Sequence, residues 1–153
     1  MKLISYALRL LDEISVPGTV SAHCDIPCGV YEPDTIRHAA ETVFKMSEKI
    51  SQVQVSLPDP TIEQRKQLIH DVSRMTEIKE KYAQICKDQL LILWTDYFKD
   101  EHLKAYPDLH TTFWKAAKLC STAKRTTDIK AAQDLKDAVG KIAEMFVASK
   151  QAK

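Results

Sequence analysis

The sequence predicts an all-α protein, an antiparallel four-helix bundle, on three observations. Glycine occurs 3 times in 153 residues, far below the usual share of about 7%, and a sheet protein with many tight turns needs more. Its six prolines fall at a few breaks, Pro17, Pro27, Pro33, Pro58, Pro60 and Pro107. Between those breaks apolar residues recur three and four apart, the period of a half-buried helix. Composition also excludes whole function classes. Lys+Arg 22 against Asp+Glu 21 leaves a net charge of +1, so no charge excess points to nucleic acid or a membrane surface. No run of 18 apolar residues is present to span a bilayer. No Gly-x-Gly pair exists to cradle a dinucleotide or nucleotide phosphate.

The chain opens with Leu3, Ile4, Ala7, Leu8, Leu10 and Leu11 at helical spacing, a short amphipathic leader helix. Arg9, Asp12 and Glu13 interrupt it, so no clean apolar core of a secretory signal forms, and a cytoplasmic protein is expected. Val20-Ser21-Ala22 before His23 has the small residues of a processing site. Residues 1–22 therefore read as a propeptide removed by a peptidase, with a fifth structural helix as the other reading. Residues 23–33 form a loop, and residues 34–153 the bundle.

The first bundle helix is expected over 34–57, where Ile36, Ala39, Val43, Met46, Ile50, Val53 and Leu57 share a face behind Pro33. Asp59 and Pro60 read as N-cap and first residue of the second. That helix is expected over 60–98, with Leu68, Val72, Met75, Ile78, Tyr82, Ile85 and Ile92 in rhythm. The charged run Glu77-Ile78-Lys79-Glu80-Lys81 reads as its solvated surface. Near its end, Leu90-Leu91-Ile92-Leu93-Trp94 is apolar on every side, more than one bundle face requires, and this points to a subunit contact. The third helix is expected over 107–124 through Leu109, Phe113, Ala116, Ala117 and Cys120. The fourth is expected over 128–149 through Ile129, Ala132, Val139, Ile142 and Phe146, capped by Thr127 or Asp128. Cys86 and Cys120 lie on apolar faces and read as buried structural thiols. His38, His70, His102 and His110 share no ligand spacing and read as solvated or capping residues.

One stretch stands outside this pattern. His23-Cys24-Asp25-Ile26-Pro27-Cys28-Gly29-Val30-Tyr31 gathers half the cysteines and a histidine into nine residues after the processing site. Taken alone, Cys-x3-Cys is a pair of loop thiols, a metal carrier or a thiol switch without turnover. Cleavage before His23 changes its chemistry, because the freed α-amine and the imidazole become donors beside two thiolates. The Cys24 amide nitrogen, once deprotonated, completes two small chelate rings, and Pro27 and Gly29 turn Cys28 back to the same ion. Two nitrogens and two thiolates in a plane suit nickel(II) or copper(II) rather than tetrahedral zinc.

The run HCDIPCGVY resembles the N-terminal hook of the nickel-containing superoxide dismutases. A second block, Leu93-Trp94-Thr95-Asp96-Tyr97-Phe98-Lys99 followed by Tyr106-Pro107-Asp108-Leu109-His110, is similar to the same family at the matching distance. The resemblance runs from His23 to the end. It implies a four-helix bundle, a homohexamer and one nickel ion per subunit. It also implies disproportionation of superoxide to oxygen and hydrogen peroxide with nickel alternating between 2+ and 3+. The ligands it implies are His23, by amine and imidazole, Cys24, by amide and thiolate, and Cys28, by thiolate. Asp25 would lock the hook, and Tyr31 and Tyr97 would line the approach and admit only small anions. The Ile26–Pro27 bond is a candidate cis peptide. Two positions depart from the family. Where bacterial members place a glutamate and an arginine behind the imidazole, this chain has Ala39 and Tyr82, so those supporting roles do not transfer.

Overall fold

The computed structural model describes residues 30–53 and 59–151. The leader, His23, Cys24, Asp25, Cys28, the Ile26–Pro27 bond and Leu57 lie outside the described residues. Four α-helices follow in order: α1 (Asp34–Ser51), α2 (Ile62–Ile92), α3 (Leu109–Arg125) and α4 (Ile129–Gln151). Each packs on the next, and α4 returns to α1. Neighbours run antiparallel. Ile36 meets Cys86 while His38 meets Tyr82, Lys87 bonds Ser121 while Lys79 reaches Thr126, and Glu41 pairs with Lys136.

Three boundaries differ from expectation, each for a local reason. Helix α1 ends at Ser51 rather than at 57, with Gln52 N–H closing the last turn on Glu48 O. Helix α2 begins behind Thr61, not Asp59. The Thr61 hydroxyl accepts from Gln64 N–H at 3.3 Å and the Gln64 side chain accepts from Thr61 N–H at 2.9 Å, a reciprocal pair satisfying two orphan donors. Asp59 instead pairs with Arg65 at 3.2 Å. Regular winding stops at Ile92. Leu93–Tyr97 form one wide π turn closed by Phe98 N–H to Leu93 O, and Asp100–Lys104 add a short 3₁₀ turn. Such a widened turn re-aims the side chains after it. The expected caps at the fourth helix resolve to Asp128, whose carboxylate accepts from Lys130 N–H at 2.9 Å.

In α1, α3 and α4 most of the expected periodic positions form the core, whereas in α2 the expected Leu68, Val72, Met75, Ile78, Tyr82, Ile85 and Ile92 are half-buried or exposed and Lys79, Ala83, Cys86 and Leu90 are buried instead. Ile36, Val43, Leu90, Phe113, Leu135, Val139, Ile142 and Phe146 are buried from all four helices, and each large apolar side chain so placed stabilises the fold by about 1.5–3 kcal/mol. Cys86 and Cys120 are free buried thiols facing one another across α2 and α3. The neighbouring thiol and then burial push the Cys86 Sγ–H far above the ordinary range, so it stays protonated and unreactive. In the apolar run 90–94, Leu90 and Leu93 are buried while Leu91 stays 37% exposed.

One expected surface residue is core. Lys79 is only 1% exposed, the bulkiest of the fully buried side chains. Its ammonium donates to Ala123 O (2.7 Å), Lys124 O (2.8 Å) and Thr126 O (2.8 Å). These are among the carbonyls that a helix C-terminus leaves unpaired, and a cation there also meets the negative end of the α3 dipole. Charge content alone marked the 77–81 run as solvated; three carbonyl acceptors make burial of this one lysine tolerable. Glu77, Ile78, Glu80 and Lys81 are exposed as expected. With 31 residues in α2 and 17 in α3, α2 is roughly 20 Å longer at 1.5 Å per residue. No residue in its first part, 62–78, is buried.

Candidate metal centre

The described chain enters the bundle at Val30, just behind the Cys-x3-Cys run. Its path is fixed within four residues. Glu32 closes the N-terminus of α1, its carboxylate accepting Asp34 N–H (2.6 Å), Thr35 N–H (3.1 Å) and the Thr35 hydroxyl (2.5 Å). The Thr35 hydroxyl above all holds the Glu32 carboxyl below its usual range; burial pushes the other way, and the two backbone donors and the charge of Lys150 add to the lowering. Pro33 behind it is buried. The Lys150 ammonium, from the last turn of α4, donates to Tyr31 O at 2.9 Å and stands 4.5 Å over the Phe146 ring.

Two residues singled out in the sequence meet here. Tyr31 and Tyr97 lie 66 positions apart in the chain, yet their rings stand edge to face at 5.6 Å and 60°. The π turn carries Tyr97 into a set of rings: Phe146 at 4.4 Å, Phe98 at 4.9 Å, and His102 stacked at 5.8 Å and 19°. His102 is itself held, its Nδ1 accepting Lys99 N–H at 2.9 Å. The Tyr97 hydroxyl lies 2.8 Å from Ser149 Oγ, and Ser149 donates to Phe146 O at 2.7 Å. Trp94, in the same turn, donates to His110 Nδ1 at 2.9 Å and stacks on Phe113, a structural contact.

Neither departure position carries a charge toward this end. Ala39 is buried at 1% exposure, and Tyr82 sets its ring edge to face with His38 at 5.7 Å. Sequence reasoning missed Glu32, Ser149 and Lys150. Glu32 was legible as an acid just before a helix start. Ser149 and Lys150 follow the core residue Phe146 by three and four, which places them on one side of α4, but no periodicity says what they meet.

Among the described residues, no group of three His, Cys, Asp or Glu side chains could hold a metal ion. Cys86 and Cys120 are sealed in the core and Cys86 is held protonated, so only Cys24 and Cys28 remain as thiolate donors. Together with the His23 nitrogens, that donor set fits a nickel ion: soft sulfur with nitrogen and a tetragonal preference.

Comparison with known proteins identifies the family. The family described as nickel-containing superoxide dismutase matches residues 18–150. The chain is 39% identical over 133 residues to the protein named superoxide dismutase [Ni] of Streptomyces seoulensis, covering 87% of this chain and 92% of that one. The protein of the same name from Streptomyces coelicolor is 38% identical over 134 residues, covering 88% and 92%. Among solved structures, nickel-containing superoxide dismutase with oxidised-state ligation superposes with a TM-score of 0.69 at 38% identity, over 84% of this chain and 99% of that one. The native nickel enzyme refined at 1.30 Å superposes with a TM-score of 0.68 at 36% identity, over the same shares.

Proposed function

The chain belongs to the nickel-containing superoxide dismutase family, and on that premise we propose how its residues divide the work. It is an oxidoreductase that disproportionates superoxide: one anion gives up an electron to become oxygen, and a second takes it with two protons to become hydrogen peroxide. When bound, nickel supplies one-electron chemistry between its 2+ and 3+ states, which thiolate donors bring within reach. His23, Cys24 and Cys28 hold the ion and Asp25 locks the loop that carries them. Cleavage by a processing peptidase supplies the His23 amine, so residues 1–22 are a propeptide, 23–33 the hook and 34–153 the bundle.

Tyr31 and Tyr97 border the approach. The single observation that carries this reading is their meeting at 5.6 Å where the chain leaves the Cys-x3-Cys run. Two half-buried rings in edge contact narrow the way in, and an aromatic edge carries the positive end of the ring quadrupole, which suits a small anion. No helix among the described residues is long and apolar enough to cross a membrane. A reducing cytoplasm suits a hook that needs two thiolates. We assign a homohexamer, supported by Leu91 and Trp114, 37% and 54% exposed on adjoining helices, an apolar surface that a partner subunit covers.

The test is ligand removal. Cys24→Ser and Cys28→Ser in the processed chain are expected to abolish nickel retention and superoxide turnover while the helical circular dichroism stays unchanged. Turnover that survives either substitution overturns the assignment and leaves the thiol-switch alternative.

A further inference from the structure

We propose that Ser149 is a positioning residue for Tyr97, fixing where the phenol sends its proton; this deepens the reading above and rests on Tyr97 bordering the approach. Ser149 is 5% exposed in the last turns of α4. Its hydroxyl has one proton, and that proton goes to Phe146 O at 2.7 Å, since a carbonyl can only accept. The 2.8 Å contact with Tyr97 is therefore donated by the phenol. The chain of bonds runs Tyr97 O–H to Ser149 Oγ–H to Phe146 O and stops at a carbonyl, so it relays nothing.

Phe146, Phe98 and His102 fix the plane of the ring, and Ser149 fixes its remaining freedom, the hydroxyl rotor. An arriving anion thus meets ring edges and oxygen lone pairs, not a phenolic donor. Such a donor would hold small anions at the entrance. Adjacent in sequence, Lys150 holds the backbone of Tyr31, so one turn of α4 anchors both tyrosines.

Ser149→Thr keeps the hydroxyl and Ser149→Val removes it at nearly the same volume, so the pair separates the bond from packing. The first readout needs no metal: the Tyr97 ¹³Cζ resonance in an equal mixture of H₂O and D₂O. Slow hydroxyl exchange, seen as a resolved isotope pair, is expected in the wild type and Ser149→Thr, and a single averaged line in Ser149→Val. The second is inhibition of superoxide turnover by azide in the nickel-loaded, processed chain. Ser149→Val is expected to bind azide about two- to tenfold more tightly, the factor one net hydrogen bond carries, with Ser149→Thr within about twofold of wild type. A merely loosened ring would not tighten azide. Identical exchange or identical azide affinity in the two variants overturns the Ser149 assignment. A nickel-loaded wild type without turnover instead overturns the functional reading, and the exchange measurement still decides where the phenol sends its proton.

Discussion

Each end of the bundle is closed by a lysine that donates to backbone carbonyls, and the two lysines do different jobs. At one end Lys79 is 1% exposed and gives each of its three protons to a carbonyl of the α3 terminus. At the other, the exposed Lys150 gives one bond to Tyr31 O. The same ammonium and the same bond differ in their surroundings. Without its partner, a buried donor set leaves desolvated carbonyls orphaned, whereas an exposed one is replaced by water. The Lys79 end is therefore expected to govern stability, and the Lys150 end to govern function at little cost in stability.

The largest effect should come from the buried end. Lys79→Met, which keeps the stem and removes the donors, is expected to lower stability by about 2–4 kcal/mol in urea unfolding. Turnover per folded, nickel-loaded chain should stay within about twofold of wild type. A loss under about 1 kcal/mol would mean that water reaches these carbonyls and that the two ends are alike.

Next comes a site belonging to neither end. Gly140 sits within α4 facing the cleft bordered by Arg37, His38, Glu41 and Lys136, and a Cβ there meets nothing within 4 Å. Gly140→Ala is expected to raise stability by about 0.5–1 kcal/mol through helix propensity alone. Destabilisation instead would show that the assembled protein fills this cleft.

At the tyrosine end the Glu32 cap gives a smaller, pH-dependent effect. Its folded pKa is lowered, so its contribution is complete above the unfolded value of about 4.3 and is lost as pH falls through the lower folded value. Glu32→Gln should therefore reduce Tm at pH 7 and converge on the wild type only in acid, once pH has fallen through the lowered folded value. A gap that persists in acid would assign the bonds to the shape of the side chain rather than its charge. Smallest in stability is Lys150→Met, which keeps the stem over Phe146. A change under about 0.5 kcal/mol is expected, with a drop in turnover of about two- to tenfold from the released Tyr31 backbone.

The bundle was legible because three of its helices bury the periodic face the spacing marks, with Ile36, Phe113, Val139 and Ile142 falling where it puts them; the buried face of α2 was not, because a lysine, an alanine and a cysteine supply most of it. Boundaries were less legible because capping is a competition between neighbours. Asp59 and Thr61 are both good caps, and only Gln64 three residues after Thr61 decides between them. The Cys-x3-Cys run stood out as a dense local motif, and the resemblance of both blocks singled out Tyr31 and Tyr97, whose rings meet. Lys79, Ser149 and Lys150 were not, since their partners are backbone carbonyls and one phenol 44 or more positions away. A backbone carbonyl leaves no mark in the sequence of the residue that provides it.

The central claim is that the hook at the tyrosine end becomes a nickel site when the chain begins at His23. The direct measurement is nickel content and superoxide turnover of two matched proteins, residues 1–153 and residues 23–153, each incubated with nickel(II) and desalted. The expected result is one nickel per chain with turnover in the shorter protein, and neither in the longer. Equal nickel retention and equal turnover in both would contradict it.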